Sequence, residues 1–218
     1  MSTAQPPPAK SSSGARNAYL IAYNALSTML WTSVLSKTVT TITTKGAGSV
    51  FSETGEWAKT VQTGAVLEVL HCLVGLVRAP LVTTGMQVAS RLLLVWGIGH
   101  QFPQAVGGSP AYASMLVAWA CSEVIRYPYF VFNLLGDVPG LVEWLRYNAF
   151  FVLYPMGIAS ECWLIFQAIE PASRQNPLFG YGLWAILATY VPGAYILYTH
   201  MMAQRRRIMR GKGRAKMQ

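Results

Sequence analysis

The sequence predicts an all-α integral membrane protein, a bundle of six transmembrane helices with both termini in the cytosol. Three observations carry this expectation. The 218 residues are 53% hydrophobic and 11% charged, against about 25% charged in an ordinary soluble domain. Apolar stretches recur at roughly the 20-residue length that spans a hydrocarbon core. The Lys and Arg residues outside the stretches are unevenly shared, eleven on the side of the termini and four on the other, and the richer side is expected to be cytosolic. A chain of this length is expected to form one domain.

The elements follow in order. Residues 1–17 are expected to form a disordered cytosolic tail, because their Pro- and Ser-rich composition buries too little apolar surface to order. Residues 18–204 hold the six spans. The first, Tyr19–Leu35, is diluted by Asn24, Ser27, Thr28, Thr32 and Ser33. It lacks an Ala-x-Ala-like cleavage site, so it reads as a retained helix rather than a signal peptide. A lumenal loop, 36–60, follows, and its order is left open. The second and third spans, Val61–Val77 and Leu81–Gly99, are joined only by Arg78, Ala79 and Pro80, which predicts an antiparallel hairpin. The fourth is Tyr112–Leu135, the fifth Tyr147–Ile169 and the sixth Tyr181–Tyr198. No repeat of 20–50 residues is evident.

Residues 205–218 form a basic cytosolic tail, the source of most of the net charge of +9. Beside a final span, such a tail is read as a contact for anionic membrane lipid rather than for nucleic acid. Its last five residues, Arg214 to Gln218, resemble the dibasic retrieval signal of endoplasmic reticulum proteins.

The three cysteines, Cys72, Cys121 and Cys162, all fall inside expected spans. They match neither an extracellular disulfide framework nor a zinc pattern, so no metal is expected. The stretch HCLVGLVRAP, residues 71–80, nearly reproduces the H-C-x-x-G-x-x-R signature of cysteine-dependent phosphatases. The context opposes that chemistry. A nucleophilic thiolate needs an electropositive, partly exposed setting, and a phosphate cradle needs free backbone N–H groups. Within an apolar span those N–H groups are already bonded. Ala79 stands where the signature needs Ser or Thr. His71 and Cys72 are expected to be packed helix residues, and Gly75 a close helix contact.

Ionisable residues inside a bilayer are costly and mark candidate sites. They are Glu68, His71, Arg91, Glu123, Arg126 and Glu161. Glu68/His71 and Glu123/Arg126 are three apart and share helix faces. A structural role is favoured for the first pair, whereas structural and site-lining roles are balanced for the second. Three glutamates face two arginines, so one glutamate lacks a full partner. Glu161, the most isolated along its own helix, is the candidate. Such a carboxyl is suited to accept a proton.

In the fifth span Tyr154 and Glu161 are seven apart. Seven residues at about 100° each fall about 20° short of two full turns, so both side chains share a face, about 10.5 Å apart along the axis. Helical side chains lean toward the N-terminus, which brings Glu161 back toward Tyr154. Pro155 is a potential kink, and Gly157 admits a close neighbour. The expected product is a notch with a phenol at one end and a carboxyl at the other. A structural tyrosine and an arginine-paired Glu161 remain the competing reading. Tyr147, near the helix start, also fits an interfacial tyrosine.

At these residues the sequence resembles the very-long-chain (3R)-3-hydroxyacyl-CoA dehydratases of the endoplasmic reticulum, the protein-tyrosine-phosphatase-like A family. The stretches that carry the resemblance are SRLLLVW from Ser90, WACSEVIRY from Trp119, Arg146-Tyr147-Asn148, and YPMGIASE from Tyr154 to Glu161. The last matches the family pattern Y-P-x-G-x-x-S-E, whose Tyr and Glu are the family's catalytic pair. The resemblance implies dehydration of a 3-hydroxyacyl-CoA to the trans-2-enoyl-CoA, the third step of fatty-acid elongation, in the endoplasmic reticulum membrane. The implied partners are the long-chain substrate, the condensing enzyme, the ketoreductase and the enoyl reductase.

The reaction removes a C2 proton and expels the 3-hydroxyl as water, which needs one acid and one base and no cofactor. Glu161 as base and Tyr154 as acid is the favoured assignment, and the reverse stays open. Arg91 or Arg126 is a candidate to polarise the thioester carbonyl. Arg126 or Arg146 is a candidate for the CoA phosphates. Glu123, Tyr147 and Gly157 are supporting candidates. A small-molecule transporter fits six spans with buried charges but lacks the internal repeat of such folds. A catalytically silent membrane scaffold leaves Tyr154 and Glu161 without a task.

Overall fold

The computed structural model describes the backbone from residue 11 to residue 215. Among these residues every regular element is helical, as expected. The elements are α1 (Ser11–Lys45), a 3₁₀ turn (Ala47–Ser49), α2 (Val50–Thr63), α3 (Val66–Leu73), α4 (Leu81–Leu92) continued by a π-helix (Leu93–His100), α5 (Pro103–Val106), α6 (Pro110–Leu135), α7 (Gly140–Asn148), α8 (Phe150–Gln175) and α9 (Pro177–Ala215).

Helix α6 is the axis of the fold. It packs against α1 on one side and α8 on the other, and α9 packs on the far side of α8. The core between them is built from Trp31 and Val34 of α1, Met115 and Leu116 of α6, Leu164 and Ile165 of α8, and Leu94 and Ile98 of the π-helix. Small residues set the approach of α6 to α8. A Cβ placed on Gly157 would lie 3.6 Å from the Cβ of Ala118, so the missing side chain lets the neighbouring helix approach closely there.

Among the described residues, three helices are long and apolar enough to cross a membrane: Leu81–His100, Phe150–Gln175 and Pro177–Ile208. Helices α1 and α6 have the length, but their Ser, Thr, Asn and charged residues dilute them. The second expected span differs most. Instead of one helix over Val61–Val77, the chain is helical from Val50 to Thr63, breaks at Gly64 and Ala65, and resumes from Val66 to Leu73. Gly75 then adopts a left-handed φ of +72°, and nothing would touch a Cβ there within 4 Å. It is a turn residue, open to its surroundings, and not the close helix contact expected from the sequence.

The expected loop 36–60 is largely helical, with only residues 46–49 between α1 and α2. Several of its threonines bond back into their own helix. The hydroxyls of Thr41 and Thr44 donate to the carbonyls of Lys37 and Thr40 at 2.8 and 2.7 Å, the usual arrangement for Thr inside a helix.

Helix α1 begins at Ser11, which takes residues 11–17 out of the disordered segment, and α9 continues through the basic stretch to Ala215. Residues 1–10 and 216–218, including the end of the retrieval-like motif, lie outside the described residues.

Candidate active site

Two polar clusters lie in the bundle. The first collects four of the six ionisable residues singled out above. The Arg126 guanidinium donates through Nη1 and Nη2 to the two oxygens of Glu68, at 2.9 and 2.6 Å, and through Nε to Glu123 Oε2 at 2.6 Å. Arg91 Nη1 donates to the other Glu123 oxygen. The Tyr127 hydroxyl donates to Glu68 Oε1 at 2.5 Å. Glu123 therefore pairs with two arginines, one of them shared with Glu68, while its side chain is only 2% exposed. Buried charges are retained when paired in this way.

Arg126 thus spends three of its five N–H donors on carboxylates inside the bundle. His71 makes its hydrogen bond to a tyrosine rather than to a carboxylate. Its Nε2 is 2.8 Å from the Tyr19 hydroxyl and its ring meets Tyr23 edge-on at 4.7 Å.

The second cluster surrounds Glu161, which is buried on α8. Its carboxyl accepts from two neutral donors, Trp119 Nε1 on Oε1 at 2.8 Å and the Tyr190 hydroxyl on Oε2 at 3.0 Å. Both arginines of the spans bond to carboxylates of the first cluster, and Glu161 hydrogen-bonds to neither. The charge count in the sequence anticipated such a residue. Tyr154 lies one face-repeat earlier on α8. Among the described residues its hydroxyl reaches only the Ala194 carbonyl, at 3.4 Å, and its ring tilts against Tyr198 at 6.1 Å. Gly157 sits between the pair, where an added Cβ would come within 3.9 Å of Glu161 Oε1.

Trp119 joins the two clusters, because the Arg91 guanidinium lies 5.0 Å over its ring. That is cation–π distance. Arg146 and Tyr147 sit on α7 at one end of the bundle. The Arg146 guanidinium lies 5.9 Å from the Tyr129 ring, and the Tyr147 hydroxyl 3.1 Å from that of Tyr129. Arg205 of α9 reaches the same end and donates to Asn148 Oδ1 at 3.0 Å.

Cys72 closes α3, with its sulfur 3.9 Å from the Thr84 hydroxyl. The N–H groups of Val74, Gly75 and Val77 are taken by the carbonyls of Leu70, Cys72 and His71. The turn thus follows a helix C-terminus, the electronegative end of the helix dipole, and has no free donors at those positions for a phosphate. Among the described residues no cluster of His, Cys, Asp and Glu has the geometry of a metal site.

The chain matches the family described as protein tyrosine phosphatase-like protein, PTPLA, over residues 62–211. That segment contains both clusters. The chain belongs to this family. PTPLA relatives resemble it along most of their length. A probable very-long-chain (3R)-3-hydroxyacyl-CoA dehydratase of Schizosaccharomyces pombe is 47% identical, covering 87% of this chain and 92% of its own. The dehydratase PASTICCINO 2 of Arabidopsis thaliana is 39% identical over 89% of this chain and 94% of its own. The very-long-chain (3R)-3-hydroxyacyl-CoA dehydratase 2 of Homo sapiens is 36% identical over 88% and 81%. No solved structure matches the chain.

Sequence reasoning placed Tyr154 and Glu161 on one face but missed the groups that contact them. Tyr190 and the Ala194 carbonyl come from α9, and Trp119 from α6. Tyr190 carried a usable signal, since a tyrosine deep in an apolar span needs a partner for its hydroxyl.

Proposed function

We propose that this chain is a membrane-embedded dehydratase that converts a long-chain (3R)-3-hydroxyacyl-CoA to the trans-2-enoyl-CoA. The observation that carries this reading is the state of Glu161, a buried carboxyl held by neutral donors and sharing a helix face with the weakly engaged phenol of Tyr154. Such a carboxylate is poised to take a proton, because it is buried and its direct hydrogen-bond donors are neutral groups rather than cations. The Tyr154 hydroxyl exchanges its long bond to Ala194 for the substrate's 3-hydroxyl.

In the reaction Glu161 takes the C2 proton, and the C2–H electron pair becomes the C2–C3 double bond. The C3–O bond breaks as Tyr154 gives its proton to the departing hydroxyl, which leaves as water. The enzyme returns to its starting state when the proton on Glu161 is lost to solvent and Tyr154 is reprotonated. Neither half of the step needs a redox group. Arg91, fixed by Glu123 and stacked over Trp119, is the candidate to polarise the thioester carbonyl.

The membrane arrangement supports the same reading. In a six-span bundle with cytosolic termini, α7 and the start of α8 face the cytosol. Along α8, Tyr154 then lies about 6 Å and Glu161 about 16 Å beyond Phe150 at its start, at about 1.5 Å per residue. The CoA group stays at the cytosolic mouth near Arg146 and Arg205, while the acyl tail enters the bundle. The names of the relatives favour a very-long-chain substrate and a place in fatty-acid elongation in the endoplasmic reticulum. There the product of a condensing enzyme and ketoreductase is dehydrated and passed to an enoyl reductase.

The test is turnover of a long-chain (3R)-3-hydroxyacyl-CoA by purified wild-type protein beside Tyr154→Phe and Glu161→Gln. Wild-type turnover with losses of about 10²-fold or more in both variants is expected for acid and base groups. Full activity in either folded variant removes that residue from the mechanism.

A further inference from the structure

Proton abstraction requires that the carboxylate be aimed as well as basic. Glu161 is a long side chain with several rotatable bonds, yet its two oxygens are claimed from two different helices. Trp119 of α6 is 3% exposed and binds Oε1, and Tyr190 of α9 is half-buried and binds Oε2. One donor on each oxygen fixes the plane of the carboxyl. Each oxygen keeps a second lone pair, since a carboxylate oxygen accepts about two hydrogen bonds.

Tyr190 also stands in register with the other half of the site. Ala194, whose carbonyl receives the Tyr154 hydroxyl, lies four residues later on the same helix. Residues four apart are neighbours on one helix face. One turn of α9 therefore touches both members of the pair, with a phenol against Glu161 and a carbonyl against Tyr154.

We propose that Tyr190 is a positioning residue for the dehydration, holding the Glu161 carboxylate in the orientation that removes the C2 proton. The proposal rests on Glu161 being the base. Tyr190 acts through Glu161 and does not touch the substrate, so its loss affects kcat with KM unchanged. The expected loss in Tyr190→Phe is about ten- to a hundredfold, the range for a hydrogen bond to a charged group.

The experiment compares wild type, Tyr190→Phe, Glu161→Gln and the double variant, each purified and measured for kcat, KM and melting temperature. Tyr195→Phe, at an exposed position of α9, is the control and should match wild type. Action through Glu161 predicts that Tyr190→Phe lowers kcat in the wild-type background and costs nothing further in the Glu161→Gln background. A structural role would lower activity by the same factor in both backgrounds, which overturns the proposal. So does an unchanged kcat, or a raised KM alone.

Should Tyr190→Phe not accumulate, Trp119→Phe removes the donor on the other oxygen and is read in the same cycle, with the same non-additivity expected and equal losses overturning the clamp. If Glu161→Gln itself retains full activity, the base assignment fails. If Glu161→Gln is inactive and Tyr190→Phe is normal, only the positioning role fails.

Discussion

Glu123 and Glu161 are both buried glutamates, yet the structure predicts opposite consequences for changing them to glutamine. Glu123→Gln removes the negative charge that two arginines share. Arg126 keeps Glu68, but Arg91 loses the one carboxylate it contacts among the described residues. Breaking a buried ion pair from one side costs ~3–5 kcal/mol. The arginine side chains are 15% and 21% exposed, which places the expected cost at the lower end, ~3 kcal/mol. For a chain of this length that corresponds to a fall of about 6–12 °C in melting temperature.

Glu161→Gln should behave differently. Its partners are neutral, and the amide oxygen retains one of the two donors. Removing a buried charge that has no ionic partner also relieves desolvation. The expected change is ~1 kcal/mol or less, a few degrees at most, while turnover collapses. Thermal melts in detergent, run on the same samples as the turnover assay, separate the two. A Glu161→Gln that melts as low as Glu123→Gln would refute the distinction between a Glu123 that anchors two arginines and a Glu161 that has no ion-pair partner among the described residues.

Other substitutions test single contacts. Tyr154→Phe loses only the 3.4 Å bond to Ala194, so its melting temperature should stay within a few degrees of wild type while kcat falls about 10²-fold or more. Gly157→Ala should be tolerated in stability, because its Cβ meets Ala118 at ordinary contact distance. Gly157→Leu should overfill the α6–α8 contact and cost ~1–3 kcal/mol, read as a lower melting temperature. Cys72→Ser should leave dehydration unchanged, and neither protein should hydrolyse a phosphotyrosine analogue; phosphatase activity lost on this substitution would revive the signature that the turn geometry argues against. Gly75→Ala, forced into a left-handed φ, should cost ~1–2 kcal/mol with kcat intact, measured by the same two assays.

The parts of this site that were legible in the sequence are those that one helix determines alone. Tyr154, Gly157 and Glu161 share a face because of helical spacing, and the excess of glutamate over arginine in the spans pointed to a carboxyl without a guanidinium. Partners supplied by other helices were not legible. Glu161 meets Trp119 and Tyr190 across 42 and 29 residues of chain, and hydrophobic period indicates which face is buried but not what lies opposite. The same limit explains Glu68. Its i,i+3 neighbour His71 was the visible partner, whereas Arg126, 58 residues away, makes the ion pair.

Helix boundaries failed for a related reason. Hydropathy runs smoothly through residues 61–77, so small residues that interrupt a helix, Gly64 and Gly75, look the same as small residues that pack one. The order of segment 36–60 stays open in the sequence because it lies between two apolar stretches, yet it is largely helical, and the Thr41 and Thr44 hydroxyls bond into the helix that carries them. A sequence pattern records what each residue tolerates, and the site becomes specific only where α6 and α9 bring their donors to the two oxygens of one glutamate.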